Sequence, residues 1–169
     1  VTGPVRLNGT VNFNGTGTAS PSWLTITEGF GGILGGSNLV TVNGPLIWRG
    51  GVIGGTNLLV VNGPFISSNA LTKSLSGRTL VINNSALIAA SGGFSAGGGC
   101  LISNVAGATW EFAADQGISV GAGGSGRFVN NGTVLKSAGT GLTTIGIPFT
   151  NSSLVQVDSG TLRLDGAGT

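Results

Sequence analysis

Five carboxylates, Glu28, Glu111, Asp115, Asp158 and Asp165, are the only acids in a chain of 169 residues that contains no histidine and one cysteine, Cys100. Without histidine the commonest general base and metal ligand is missing. Polysaccharide-cleaving β-folds need clustered acids, with calcium or a cationic base, on one face. Glu111 and Asp115 are close in sequence, and Asp158 and Asp165 lie somewhat further apart. Neither pair aligns with a basic partner, so these residues read as loop carboxylates and no catalytic residue is assigned. The calcium nonapeptide Gly-Gly-x-Gly-x-Asp does not occur, and "GAGGSG" (121–126) lacks the lysine and strand-to-helix context of a phosphate loop. No metal or cofactor is expected, and the chain does not read as an enzyme.

The cations exclude a partner class. Arg6, Arg49, Lys73, Arg78, Arg127, Lys136 and Arg163 are scattered singly, so the pI of 9.3 reflects no basic run that could neutralise a line of phosphates. They read as solvated loop and edge charges, and nucleic acid is not a partner. Cys100 reads as a buried small hydrophobe. No apolar run approaches the ~18 residues of a membrane span. Gly and Pro are abundant, yet 40% hydrophobic and 7% charged residues describe an ordered chain solubilised by Ser, Thr, Asn and Gly.

The elements that must position these residues repeat. "NLVTVNGPLIWRGGVIGGTNLLVVNGPFIS" (38–67) states one unit twice, Asn38-Leu39 returning as Asn57-Leu58 and Val42-Asn43-Gly44-Pro45 as Val61-Asn62-Gly63-Pro64. The unit is a short alternating run, Asn-Gly or a relative, and a second alternating run. It recurs as "VRLNGTVNF" (5–13), "TLVINNSALIA" (79–89), "LISNVAGATWEF" (101–112), "GRFVNNGTVLK" (126–136) and "FTNSSLVQV" (149–157), with "LTITEGF" (24–30) as a degenerate copy. Period-two alternation rich in Val, Ile, Leu, Thr and Phe marks half-buried strands, and no window carries a helical period.

The turn positions are Asn8, Glu28, Asn43, Asn62, Asn84, Asn104, Asn131 and Asn151. Most follow one another at a step of roughly 20 residues, which holds two or three short strands and tight turns, one coil of a β-solenoid. Glu28 to Asn43 is the shortest step and Asn104 to Asn131 the longest. The expected fold is therefore all-β, a single right-handed parallel β-helix of about eight coils over 1–169. The asparagines are expected to stack as a column, each amide bonding the next. Phe13, Trp48, Phe65, Trp110, Phe112, Phe128 and Phe149 are expected to fill or flank the core. An aromatic sugar-binding stripe is the sharper alternative for the tryptophans.

"LSGRTLVINNSA" (75–86), residues 126–169 and the paired "GG…VNGP" units resemble β-strand-repeat regions of large secreted bacterial surface proteins. Those regions are similar in style to autotransporter passengers and filamentous-haemagglutinin-like adhesins. The resemblance implies an extracellular stalk, fibre or adhesin and carries over no catalytic or ligand residue.

Residues 151–169 followed by 1–8 would make a further coil, and neither end shows a capping pattern. The expectation is one period of a longer object, with copies of the chain end to end or a tandem repeat as partner. Surface glycans are a further candidate partner. Sequons at Asn8, Asn14, Asn83, Asn131 and Asn151 coincide largely with turn positions. Ice binding through Thr-x-Thr rows is the rival of another class, with "TGT" (16–18) and "TIT" (25–27) as its only candidates.

Overall fold

The computed structural model describes residues 1–27, 31–89 and 91–166. Val, Ile, Leu and Phe alternate with Thr, Ser and Asn in runs of three or four, so each run forms a short strand with one buried face. Gly, Asn and Pro between the runs turn the chain through a corner. The first coil carries β1 (Val5–Leu7) and β2 (Thr10–Phe13). The second is β3 (Leu24–Ile26), β4 (Ile33–Gly36) and β5 (Val40–Val42); the third is β6 (Leu46–Trp48), β7 (Gly51–Ile53) and β8 (Leu58–Val61). The fourth holds β9 (Phe65–Ser67), β10 (Lys73–Ser76) and β11 (Thr79–Ile82). The fifth holds β12 (Ser85–Ile88), β13 (Phe94–Gly97) and β14 (Leu101–Asn104). In the sixth are β15 (Thr109–Phe112), β16 (Ile118–Val120) and β17 (Arg127–Asn130). The seventh has β18 (Thr133–Lys136), β19 (Leu142–Ile145) and β20 (Phe149–Asn151), and an eighth begins with β21 (Leu154–Val157) and β22 (Thr161–Leu164).

Every strand pairs in parallel with its equivalent one coil along, giving two sheets of eight strands and one of six. This is a parallel β-solenoid. It has about seven turns rather than the eight expected. The third sheet is short at its first end because the segment before β3 contributes only the isolated bridge Ala19↔Val40. Residues 167–169, needed for the expected coil across the ends, lie outside the described residues.

The register stacks like on like. In the first sheet Val5, Leu24, Leu46, Phe65, Ala86, Trp110, Val134 and Val155 form one inward column, each member one coil beyond the last. In the third sheet Val40, Leu59, Leu80, Ile102, Phe128 and Phe149 form another. One apolar core cluster runs from Leu7 to Phe149.

Its middle is aromatic. Trp110 lies 6.1 Å from Phe65, 6.1 Å from Phe94, 6.3 Å from Phe112 and 5.1 Å from Phe128, and Trp48 lies 5.3 Å from Phe94 (ring centroids). Trp48 and Trp110 are therefore packing residues, not a surface stripe. Cys100 is buried as expected, and burial pushes its thiol up to about 11.

The repeated Asn-Gly-Pro also has a steric origin. A Cβ at Gly63 would run into the Gly44 carbonyl of the coil before, so the corner stacks only with glycine.

Candidate functional site

The expected asparagine column divides in three. Outside the corner between the third and first sheets, Asn83 Nδ2 donates to Asn62 Oδ1 (2.8 Å) and Asn62 Nδ2 to Asn43 Oδ1 (2.9 Å). Inside the same corner, Asn104 Nδ2 donates to Asn130 Oδ1 (2.7 Å) and Asn130 Nδ2 to Asn151 Oδ1 (2.7 Å). The stacked members are thus Asn83 and Asn130, while Asn84 and Asn131 sit one place on, exposed. Asn8 occupies another corner, between β1 and β2, where its Oδ1 accepts from Thr27 Oγ1 (2.9 Å). Glu28 lies outside the described residues.

The inner ladder has the larger energetic consequence. Asn104 and Asn130 are wholly buried, and Asn130 also donates to the carbonyls of Gly132 (3.1 Å) and Leu154 (3.2 Å). Asn130→Ala should cost about 2–4 kcal/mol in urea unfolding, because the buried Asn104 amide and Gly132 carbonyl and the part-buried Leu154 carbonyl each lose a partner. Asn62→Ala, in the exposed ladder, should cost under about 1 kcal/mol. Equal losses would show that the inner ladder is no stronger than the outer.

Three of the seven cations overturn the reading of solvated charges. Lys73, Arg78 and Lys136 are wholly buried, whereas Arg6, Arg49, Arg127 and Arg163 are exposed. Lys73 Nζ donates to the carbonyls of Leu71 (2.9 Å) and Asn69 (3.1 Å), and burial lowers its pKa. Arg78 lies across two earlier coils: Nε donates to the Gly54 carbonyl (2.6 Å), Nη2 to that of Gly36 (2.8 Å), and Nη1 to those of Asn38 and Leu58 (3.1 Å each). A cation without a carboxylate survives burial here because backbone dipoles replace its water. Gly55, at φ +107°, turns the corner there, and a Cβ on it would stand 2.6 Å from Arg78 Nη2.

The four described carboxylates are each occupied by a different group. Lys136 Nζ donates to Asp115 Oδ1 (2.7 Å) and the Gly141 amide to Asp115 Oδ2 (2.9 Å). The Lys136 hydrogen bond holds the Asp115 carboxyl below the usual range. Ser137 Oγ donates to Glu111, Gln156 Nε2 to Asp158 Oδ1 (2.8 Å), and Arg163 Nε pairs with Asp165 Oδ2 (2.8 Å). These are tethers between and within coils.

A concavity lies on the outer face of the first sheet. It is a groove of ≈ 570 Å³ lined by Arg6 and Asn8 of the first coil, Trp23, Thr25 and Thr27 of the second, and Arg49 of the third. Alternation puts Trp23, Thr25 and Thr27 on the same outward face, with Leu24 and Ile26 buried between them. Trp23 is 40% exposed. The middle outward column reads Arg6, Thr25, Ile47, Ile66, Leu87, Glu111, Leu135, Gln156, which is not a threonine rank.

No family model, curated protein or solved structure matches this chain. The geometry of the solenoid and its surface therefore carries the functional reading.

Proposed function

We propose that this chain is a length of structural β-solenoid, extended at both end faces by further coils into an extracellular rod or fibre. The observation that carries the reading is the chemistry of those end faces. At one end Val155, Val157, Leu162 and Leu164 occupy inward columns, yet Val157 is 45% and Leu164 48% exposed because no coil covers them. At the other end Val5 and Leu7 head the same two columns of the first sheet that Val155 and Val157 close, and partly buried Val11 and Phe13 stand beside them in the second sheet, in columns other than those of Leu162 and Leu164. In the first sheet the two faces are apolar in the same columns, and both faces offer unpaired strand edges, so a coil continuing the register would cover either one. Copies of the chain or a tandem repeat supply that coil equally well. The resemblance to β-strand-repeat surface proteins is the ground for placing the rod at the cell exterior.

Electron microscopy of the native material tests this. Seven to eight coils at ~4.8 Å give an axial repeat of roughly 34–38 Å along a continuous rod. Discrete particles one chain long, unchanged by Leu164→Asp, would overturn the proposal. Rods that survive denaturing electrophoresis as one long polypeptide would identify tandem repetition, and rods that dissolve into 16.5 kDa chains would identify stacking.

A further inference from the structure

We propose that the groove around Trp23 is a binding site for an acidic saccharide, a sugar chain carrying carboxylates. The groove opens on the outward flank of the first sheet at its end strand β1, away from the axis along which coils would add.

Three features point to this ligand class. The first is Trp23 itself. Trp48 and Trp110 are wholly buried, whereas Trp23 presents its ring beside the groove. The negative face of an indole attracts the partly positive C–H bonds on one face of a pyranose ring, and burial of both apolar faces adds to the contact. The second is Arg6, which is exposed and has no hydrogen-bond or ion-pair partner among the described residues. Its guanidinium stands in the groove wall, and its planar fork matches a carboxylate. Each carboxylate with a described hydrogen bond or ion pair is engaged elsewhere, Asp115 by Lys136 and Asp165 by Arg163. The third is the polar floor. Asn8, Thr25 and Thr27 offer an amide and hydroxyls to sugar hydroxyls, and Thr27 Oγ1 is fixed by donating to the Leu7 carbonyl (2.9 Å) or to Asn8 Oδ1. Arg6 and Thr25 stand on strands β1 and β3, and Asn8, Trp23 and Thr27 directly flank those strands, which limits the ordering that binding requires.

The probe is trigalacturonic acid, compared with its fully methyl-esterified form, which keeps the rings and removes the charge. Binding is read by calorimetry and by protection of Trp23 from acrylamide quenching, the two other tryptophans being inaccessible. We expect saturable binding of the acid that weakens with salt, and affinity for the ester lower by roughly tenfold or more. Arg6→Gln, on an exposed side chain, should bring the acid down to the level of the ester without changing thermal stability. Trp23→Ala should abolish calorimetric binding of both. No saturable binding, equal affinity for acid and ester, or an unaffected Arg6→Gln variant would each overturn the proposal. Penta-aspartate binding as tightly as the acid would overturn the saccharide assignment in favour of an acidic peptide.

Discussion

Arg78→Met should lower the unfolding free energy by about 3–5 kcal/mol, read as a shift of the urea midpoint followed by circular dichroism. The guanidinium satisfies the carbonyls of Gly36, Asn38, Gly54 and Leu58, drawn from two successive coils. Methionine keeps the apolar stem and removes a wholly buried donor from all four acceptors, of which the Gly36 carbonyl keeps the Thr56 amide. Each orphaned acceptor costs about 1–3 kcal/mol, partly offset by no longer having to bury a cation. Arg78→Lys should recover only part of the loss, because one ammonium cannot span acceptors that the fork reaches in three directions. Hydrogen exchange should rise first at the amides around residues 36–38 and 54–58. A methionine variant within about 1 kcal/mol of the parent would mean that the burial cost of the charge cancels everything its hydrogen bonds contribute.

Trp110→Ala should cost a similar amount, about 3–5 kcal/mol, by a different mechanism. The ring sits between Phe65, Phe94, Phe112 and Phe128, and neighbours locked in strands on three sides cannot collapse into the cavity. Trp110→Phe separates volume from shape. The indole N–H has no hydrogen-bond partner, so removing it relieves a buried unsatisfied donor and offsets part of the smaller cavity. That variant should lose less than about 2 kcal/mol and keep a cooperative transition. If Trp110→Ala costs no more than Trp110→Phe, the aromatic cluster is looser than its ring distances indicate.

The architecture was legible because two periods coincide. Alternation within each run marks strands, and recurrence of the Asn-Gly corner once per turn marks coils. Runs such as Thr79–Ile82 and Thr133–Lys136 could therefore be placed in stacked parallel sheets from residue types alone. The asparagine column was only partly legible because every corner uses the same Asn and Gly chemistry. Asn8 reads like Asn43 but turns between different sheets. In the pairs Asn83-Asn84 and Asn130-Asn131 only one member stacks. The alternation of the preceding strand carries that information: Asn130 follows outward Val129 and so faces inward.

The same rule would have exposed the buried lysines. Lys136 shares the inward phase of Val134, and Lys73 that of Leu75. Charge overrode register in reading them as solvated. Arg78 has no such signal, since it stands in a corner and its four acceptors are carbonyls, which every residue type supplies. The groove was equally hidden. Trp23 precedes β3 as one more aromatic residue, and only its outward phase distinguishes it from Trp48 and Trp110.

In the inward column of the first sheet each pairing step spans a single coil of chain, as from Val5 to Leu24 or from Ala86 to Trp110, and no strand waits for a distant terminus. The entropy of closing each loop is consequently almost the same at every step, since it grows only with the logarithm of loop length. Once one coil exists, the next closes on a finished template. Growth is thus a zipper with a constant toll per turn, and a chain emerging from a ribosome or a membrane pore can lock into place behind the point of emergence, however long the polypeptide becomes.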